Sequence, residues 1–382
     1  MPGADTAAVS VGLQLGTQPP LGAVRAAVLA ARAMRLESVM VIDHFQNVFP
    51  QALWNRDFTW VADRRPSPHE FFDYQVLLGY LAPRTGGMRL GVGVTESVRR
   101  HPVLIAQAML TVSHLTKSAP ILGIGAGERM NIDPYGFDFS HPVDRLEEAL
   151  QVIRLCLSAR GPISFSGSHF HLDRAVMDLK APPGRCPQIW VGGHGPRLLG
   201  LAGRFGDGWY PAAIVTPQEY ADGLAAVRTA AAQAGRDGAR ITPALHRFVV
   251  FAPSETEARA MLRHRAIRLL GLGAPARVWE RAGAVHPLGP DFNAIVDFVP
   301  DRHDPRLIED AIATVPEEVL TAGSLLWGTP AQVAAKLRAF GDAGLRHVVL
   351  APVSGLVSKR AALYGLRATG AVARALARGR PR

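Results

Sequence analysis

The chain of 382 residues is 48% hydrophobic and 19% charged, which excludes a disordered polymer and supplies enough apolar side chains for a large core. No apolar run reaches the ~20 residues needed to cross a bilayer, and the start MPGADTAAVSVGLQL lacks the basic flank and apolar centre of a signal peptide, so a soluble, cytoplasmic protein is expected. The net charge is +10, and the positive charge is almost all arginine, scattered and without a recognition motif, so nucleic acid is not an expected partner.

In chain order, short apolar runs alternate with helical patterns. The runs read as strands over 9–16, 38–44, 88–96, 120–128, 188–194, 207–213, 244–252 and 347–352. Helical periodicity fills 21–34, 102–115, 141–157, 196–205, 216–234, 254–271 and 329–344. Pro102, Pro142, Pro217 and Pro330 suit first helical turns, and Ser254 with Glu257 predicts a capping box. Unbroken apolar strands are those of a parallel sheet covered on both faces. Eight of them alternating with helices predict a TIM (β/α)8 barrel, with a doubly wound sheet as the runner-up.

The domain reading is a single barrel over 1–358 with insertions at about 45–87 and 272–328, both following strand C-terminal ends, where barrel enzymes build their sites. The second, rich in Phe, Pro, Val and Asp, reads as a lid over an apolar substrate. Residues 359–382 form a basic, amphipathic tail. It reads first as a solvated terminal helix, with peripheral membrane contact as the lesser alternative. Cys156 sits in an apolar helix pattern and Cys186 before a proline; their contexts predict neither a disulfide framework nor a metal site.

Four strand ends carry polar and glycine-rich sequence. VIDHFQNVFP (41–50) passes abruptly from apolar residues to Asp43 and His44, either an ordinary exit from a strand or the delivery of catalytic groups to a pocket. GVGVTES (91–97), GIGAGERMN (123–131) and VGGHGPR (191–197) place glycines where a ligand or another backbone comes close. In the last, the N–H groups of Gly193, His194 and Gly195 read as a phosphate cradle at a helix start, with Arg197 nearby. Tight strand–helix packing is the competing reading.

With DHFQ, LGVGVTESVRRHPVLIAQ, LGIGAGE and IWVGGHGPRLLGLAGRFGDGWYP, the chain resembles the luciferase-like superfamily, in the branch that uses the deazaflavin coenzyme F420. The segments ILGIGAGER, NIDPYGFDFSHPVDRLEEAL and HPLGPDF look most like mycobacterial phthiodiolone-type ketoreductases. The resemblance implies a non-prolyl cis peptide between Gly93 and Val94, with Thr95 beside it, behind the deazaflavin ring. It implies Gly125, Ala126, Gly127 and Glu128 at the ring or ribityl chain, and Gly192, Gly193, His194 and Gly195 with Arg197 at the phosphate. Asp43, His44 and Glu128 are the implied catalytic groups. His44 would give a hydrogen bond or proton to a substrate carbonyl oxygen, and the carboxylate that orients it is left open. Sugar-phosphate dehydrogenases of this branch carry a tryptophan where this chain has Val48, so a larger, greasier ketone is expected. The function implied is hydride transfer to a ketone, or an imine, of a bulky apolar metabolite such as a lipid polyketide, by a homodimer. An FMN-dependent monooxygenase and a non-catalytic flavin-binding barrel are the alternatives.

Overall fold

The computed structural model describes residues 8–323 and 325–377; the first seven residues of the segment read for a signal peptide, and the last five of the basic tail, lie outside them. The strands in chain order are β1 (Ser10–Gln14), β2 (Ser38–Val41), β3 (Arg89–Thr95), β4 (Ile121–Ile124), β5 (Ile163–Ser166) and β6 (His171–Ala175). They continue with β7 (Gln188–Val191), β8 (Gly208–Trp209), β9 (Thr242–Phe251), β10 (Leu325–Gly328) and β11 (His347–Pro352). Parallel pairing runs β9, β11, β1, β2, β3, β4, β7, β8, and β8 pairs back to β9. The eight strands therefore close into a TIM barrel.

These eight are the strands expected from the apolar runs. Two features were not legible. β5 and β6 form an antiparallel hairpin between the helix Pro142–Ser158 and β7; its residues are mostly exposed, so no apolar run marks it. β10 pairs with the upper half of β9, beyond the point where two-residue β8 ends.

Helix boundaries follow local chemistry. Pro102, Pro142, Pro217 and Pro330 each open a helix, where the missing N–H costs nothing. Thr216 with Glu219 and Thr329 with Gln332 form full capping boxes. At Ser254 half of the expected box forms: its hydroxyl accepts the Glu257 N–H at 3.2 Å, and Glu257 Oε1 turns to that hydroxyl. The helix expected over 254–271 divides into Glu255–Leu262 and Arg265–Leu269, because His264 caps the second piece through its ring.

Three cores result. The largest lies between the barrel and its helices and includes Val39, Val41, Leu122, Ile189 and Val191; a small one on the opposite strand face packs Met40, Ile121, Trp190, Tyr210, Ala244 and Val349. The third joins the two insertions, packing Phe49, Trp54 and Phe58 of the first against Trp279, Phe292 and Phe298 of the second. The aromatics expected to line a lid are thus largely spent in the insertions' own core. Lys359–Ala377 form a helix that packs against the barrel through buried Ala361, Gly365, Ala368, Val372 and Leu376, so it is solvated on one face only. Among the described residues no helix is long and apolar enough to cross a membrane.

Candidate active site

At the C-terminal end of β2, consecutive residues leave in different directions. Asp43 turns inward and is only 4% exposed. Its carboxylate accepts the Thr95 hydroxyl at 2.6 Å and lies 2.9 Å from Arg99 and 3.2 Å from Arg100. Arg99 is itself buried, with its Nε 2.5 Å from Glu96, and Arg100 reaches out to Asp73 at 2.5 Å. Buried charges persist only when paired this fully. Arg99 also donates to the Asp43 carbonyl at 3.0 Å, so the end of β2 is fastened to the end of β3 through both side chain and backbone.

His44 points into the cleft instead. Its Nε2 is 3.4 Å from Glu128 Oε2, and the two side chains remain 25% and 33% exposed, open to a ligand. The ring edge meets Phe71, with centroids 5.6 Å apart. The carboxylate facing His44 is therefore Glu128, from the loop after β4, and Asp43 belongs to the arginine cluster behind it.

Asn131 sets this pair. It is 3% exposed, and its Oδ1 accepts the backbone N–H groups of Phe45 and Gln46 at 2.8 and 3.0 Å. Two donors identify that atom as the oxygen, so Nδ2 must face outward as a donor; it reaches Glu128 Oε2 at 3.2 Å. One amide thus holds the loop carrying His44 and the carboxylate facing it. Glu128 precedes two short 3-10 turns, Arg129–Asn131 and Asp133–Tyr135.

Beside this pair the Gly93–Val94 peptide is cis, and the β3–β4 register shifts between Val92 and Thr95. Val94 projects between the next two strand ends: a Cβ on Gly125 would lie 3.5 Å from it, and one on Gly192 3.3 Å. Gly193 has φ +133°, and a Cβ there would lie 2.4 Å from Leu198 Cδ1, so this turn admits no side chain. Its carbonyl accepts the Trp209 indole N–H at 2.9 Å. Arg197 departs from the expected place, since it turns to Asp144 and Glu147 on the helix Pro142–Ser158. The cation beside His194 is Arg277, from the second insertion. Partial burial and then this guanidinium hold the His194 imidazole below its ordinary pKa. Arg277 is fixed by the Ala213 carbonyl at 2.7 Å.

The profile of the luciferase-like monooxygenase family matches residues 9–347. The chain belongs to that family. The phthiodiolone/phenolphthiodiolone dimycocerosates ketoreductase of Mycobacterium tuberculosis is 36% identical over 335 residues, 87% of this chain and 88% of that protein. The 5,10-methylenetetrahydromethanopterin reductase of Archaeoglobus fulgidus is 26% identical, covering 77% and 84% of the two chains. In fold, an F420-dependent secondary alcohol dehydrogenase in complex with an F420-acetone adduct superposes with a TM-score of 0.74. That match covers 97% of this chain and 99% of that one at 18% identity.

As a luciferase-like enzyme, the chain is an oxidoreductase, and its residues suit a flat redox cofactor. Gly125, Gly192 and Gly193 leave the strand ends bare around Val94. Beneath Gly93 the buried Tyr210 hydroxyl has no hydrogen-bond partner among the described residues. The expected residues sit at neighbouring C-terminal strand ends, with three departures: Asp43 is buried in the arginine cluster behind His44, the Thr95 hydroxyl is occupied by Asp43, and Arg197 lies off to the side. Sequence reasoning missed Asn131 and the Arg99–Arg100 pair. Both stood inside quoted motifs, three residues after Glu128 and separated by one residue from GVGVTES. Arg277 had no signal, because an insertion helix carries it to the site.

Proposed function

We propose that this oxidoreductase uses coenzyme F420 and reduces a ketone on a bulky, apolar molecule. The observation carrying this reading is the His44–Glu128 pair, 3.4 Å apart, beside the Gly93–Val94 turn. The cofactor would be held by Gly93, Val94 and the Gly125–Gly127 turn, with its phosphate at Gly192–Gly195 near Arg277. When bound, the deazaflavin supplies the hydride for the carbonyl carbon. His44 gives the compensating proton to the substrate oxygen, so that one hydride and one proton convert the ketone to a secondary alcohol. Glu128 balances the positive charge of the protonated ring, and Asn131 keeps the carboxylate turned toward it. Asp43 acts from behind, fixing the strand end. The relatives named as ketoreductases support the substrate class, and so does Val48, a smaller side chain than the tryptophan of the sugar-phosphate enzymes.

The test is a pair of titrations following tryptophan quenching, one with oxidised F420 and one with FMN. F420 is expected to bind at least about tenfold more tightly, a difference of about 1.4 kcal/mol. Preference for FMN would overturn the reading and favour a flavin monooxygenase.

A further inference from the structure

A second surface lies away from the cleft, on the outward side of the helix Lys359–Ala377. This helix packs against the barrel between the helices Leu21–Ala33 and Pro330–Asp342; Arg338 donates to its Ala375 carbonyl at 3.0 Å. Its exposed face carries Lys359, Arg360, Arg367 and Arg374, with Leu363 55% exposed among them. The neighbouring helix continues the pattern with exposed Arg25, Arg32 and Leu29. The last carboxylate side chain in the sequence is Asp342, and Glu37 is the first after the N-terminal segment.

Elsewhere the arginines of this basic chain are commonly neutralised. Among the described residues, no ion pair involves any residue of 21–37 or 330–377. The cations of this face are therefore left for something outside the molecule. We propose that this face docks on an anionic lipid surface.

Two observations favour lipid over a polyanion such as DNA. Exposed Leu363 and Leu29 stand among the cations, as on helices that lie at a bilayer interface, whereas backbone phosphates would gain nothing from them. The helix also starts at the barrel's C-terminal face. There the Ser354–Leu356 turn is bound to the first insertion, by Thr59 to the Leu356 carbonyl at 2.6 Å and Trp60 to the Gly355 carbonyl at 2.8 Å. Docking would thus bring the rim of the cleft beside the bilayer. The charge argument stands whatever the enzyme reduces.

The test is co-sedimentation of the full chain with phosphatidylcholine vesicles, with or without about one-third phosphatidylglycerol, at about 50 and 500 mM salt. Binding at low salt is expected to be at least about tenfold stronger to the anionic vesicles, and to be lost at high salt. The double variant Arg360→Glu/Arg367→Glu, with its melting temperature unchanged, should weaken that binding by about tenfold or more. The same charge change at exposed Arg160 and Arg174 should leave most of it. Equal binding to neutral vesicles, equal loss in both double variants, or tighter binding to duplex DNA at the same salt would each overturn the proposal.

Discussion

Neighbouring residues just beyond the end of β2 have separate duties because their side chains leave the backbone in different directions. Asp43 is locked into the arginine cluster, while His44 enters the cleft and meets Glu128. Glu128→Gln keeps the shape of the side chain and removes its charge, so kcat for ketone reduction should fall by about a hundredfold with little change in cofactor affinity. An unchanged kcat would remove Glu128 from the chemistry. Asn131 allows a sharper separation of roles. Asn131→Ala strands the Phe45 and Gln46 N–H groups and should cost about 1–3 kcal/mol of stability together with activity. Asn131→Asp keeps an acceptor for both N–H groups but sets a second carboxylate against Glu128. It should retain most of the stability while shifting the acidic limb of the pH–rate profile upward. Equal loss of stability in both variants would show that the amide matters only to the fold.

The elements of the barrel were legible because the strands are buried apolar runs and most of the helices carry a proline or capping residue at their start. The insertions were not. Their shared core uses aromatics at irregular spacing, with Phe49, Trp54 and Phe58 meeting partners more than two hundred residues away, and no periodicity reports such contacts. Their polar ties are equally long-range. Asp301 accepts the Gln51 N–H at 2.8 Å and faces His69 Nε2 at 3.0 Å. Arg302 pairs with Asp133 at 2.5 Å, and Arg129 donates to the Val296 carbonyl at 2.5 Å. The segment 294–303 is thereby strapped both to the first insertion and to the loop that follows Glu128. Burial disfavours the Asp301 carboxylate, but His69 and the Gln51 N–H outweigh it and hold its pKa below the ordinary value. A lowered carboxylate pKa stabilises the fold above its unfolded value and loses that contribution as pH falls through the folded one, so the tie is intact at neutral pH. Asp301→Asn should cost about 1 kcal/mol and speed amide exchange in residues 45–60 and 294–303, leaving the barrel protected. Faster exchange throughout would mean the tie supports the whole fold.

For the whole molecule, the adjacent strands β11, β1 and β2 share a buried polar seam that sequence reading passed over, since His347 looked like the first residue of an ordinary strand. Ser10 on β1 and Ser38 on β2 flank its ring, at 2.7 Å from Nδ1 and 2.9 Å from Nε2. Gly12 makes the seam possible: a Cβ there would lie 2.1 Å from Ser38 Oγ and 3.1 Å from His347 Nε2. Burial, and then the Arg89 charge, push the His347 pKa down to about 3, against about 6.5 in the unfolded chain. Between those values the unfolded chain holds a proton that the barrel refuses. Stability from this residue is therefore complete above about pH 6.5 and drains at about 1.4 kcal/mol per pH unit below it. His246, lowered to about 4 by burial and Arg247, acts in the same direction. His347→Asn should make the protein less stable at pH 7 and flatten the decline between pH 6 and 4 by about 1.4 kcal/mol per unit. Urea unfolding at several pH values, compared between the two proteins, measures that difference directly and cancels the carboxylates they share. Parallel stability curves would show that His347 takes up its proton inside the barrel as readily as outside it.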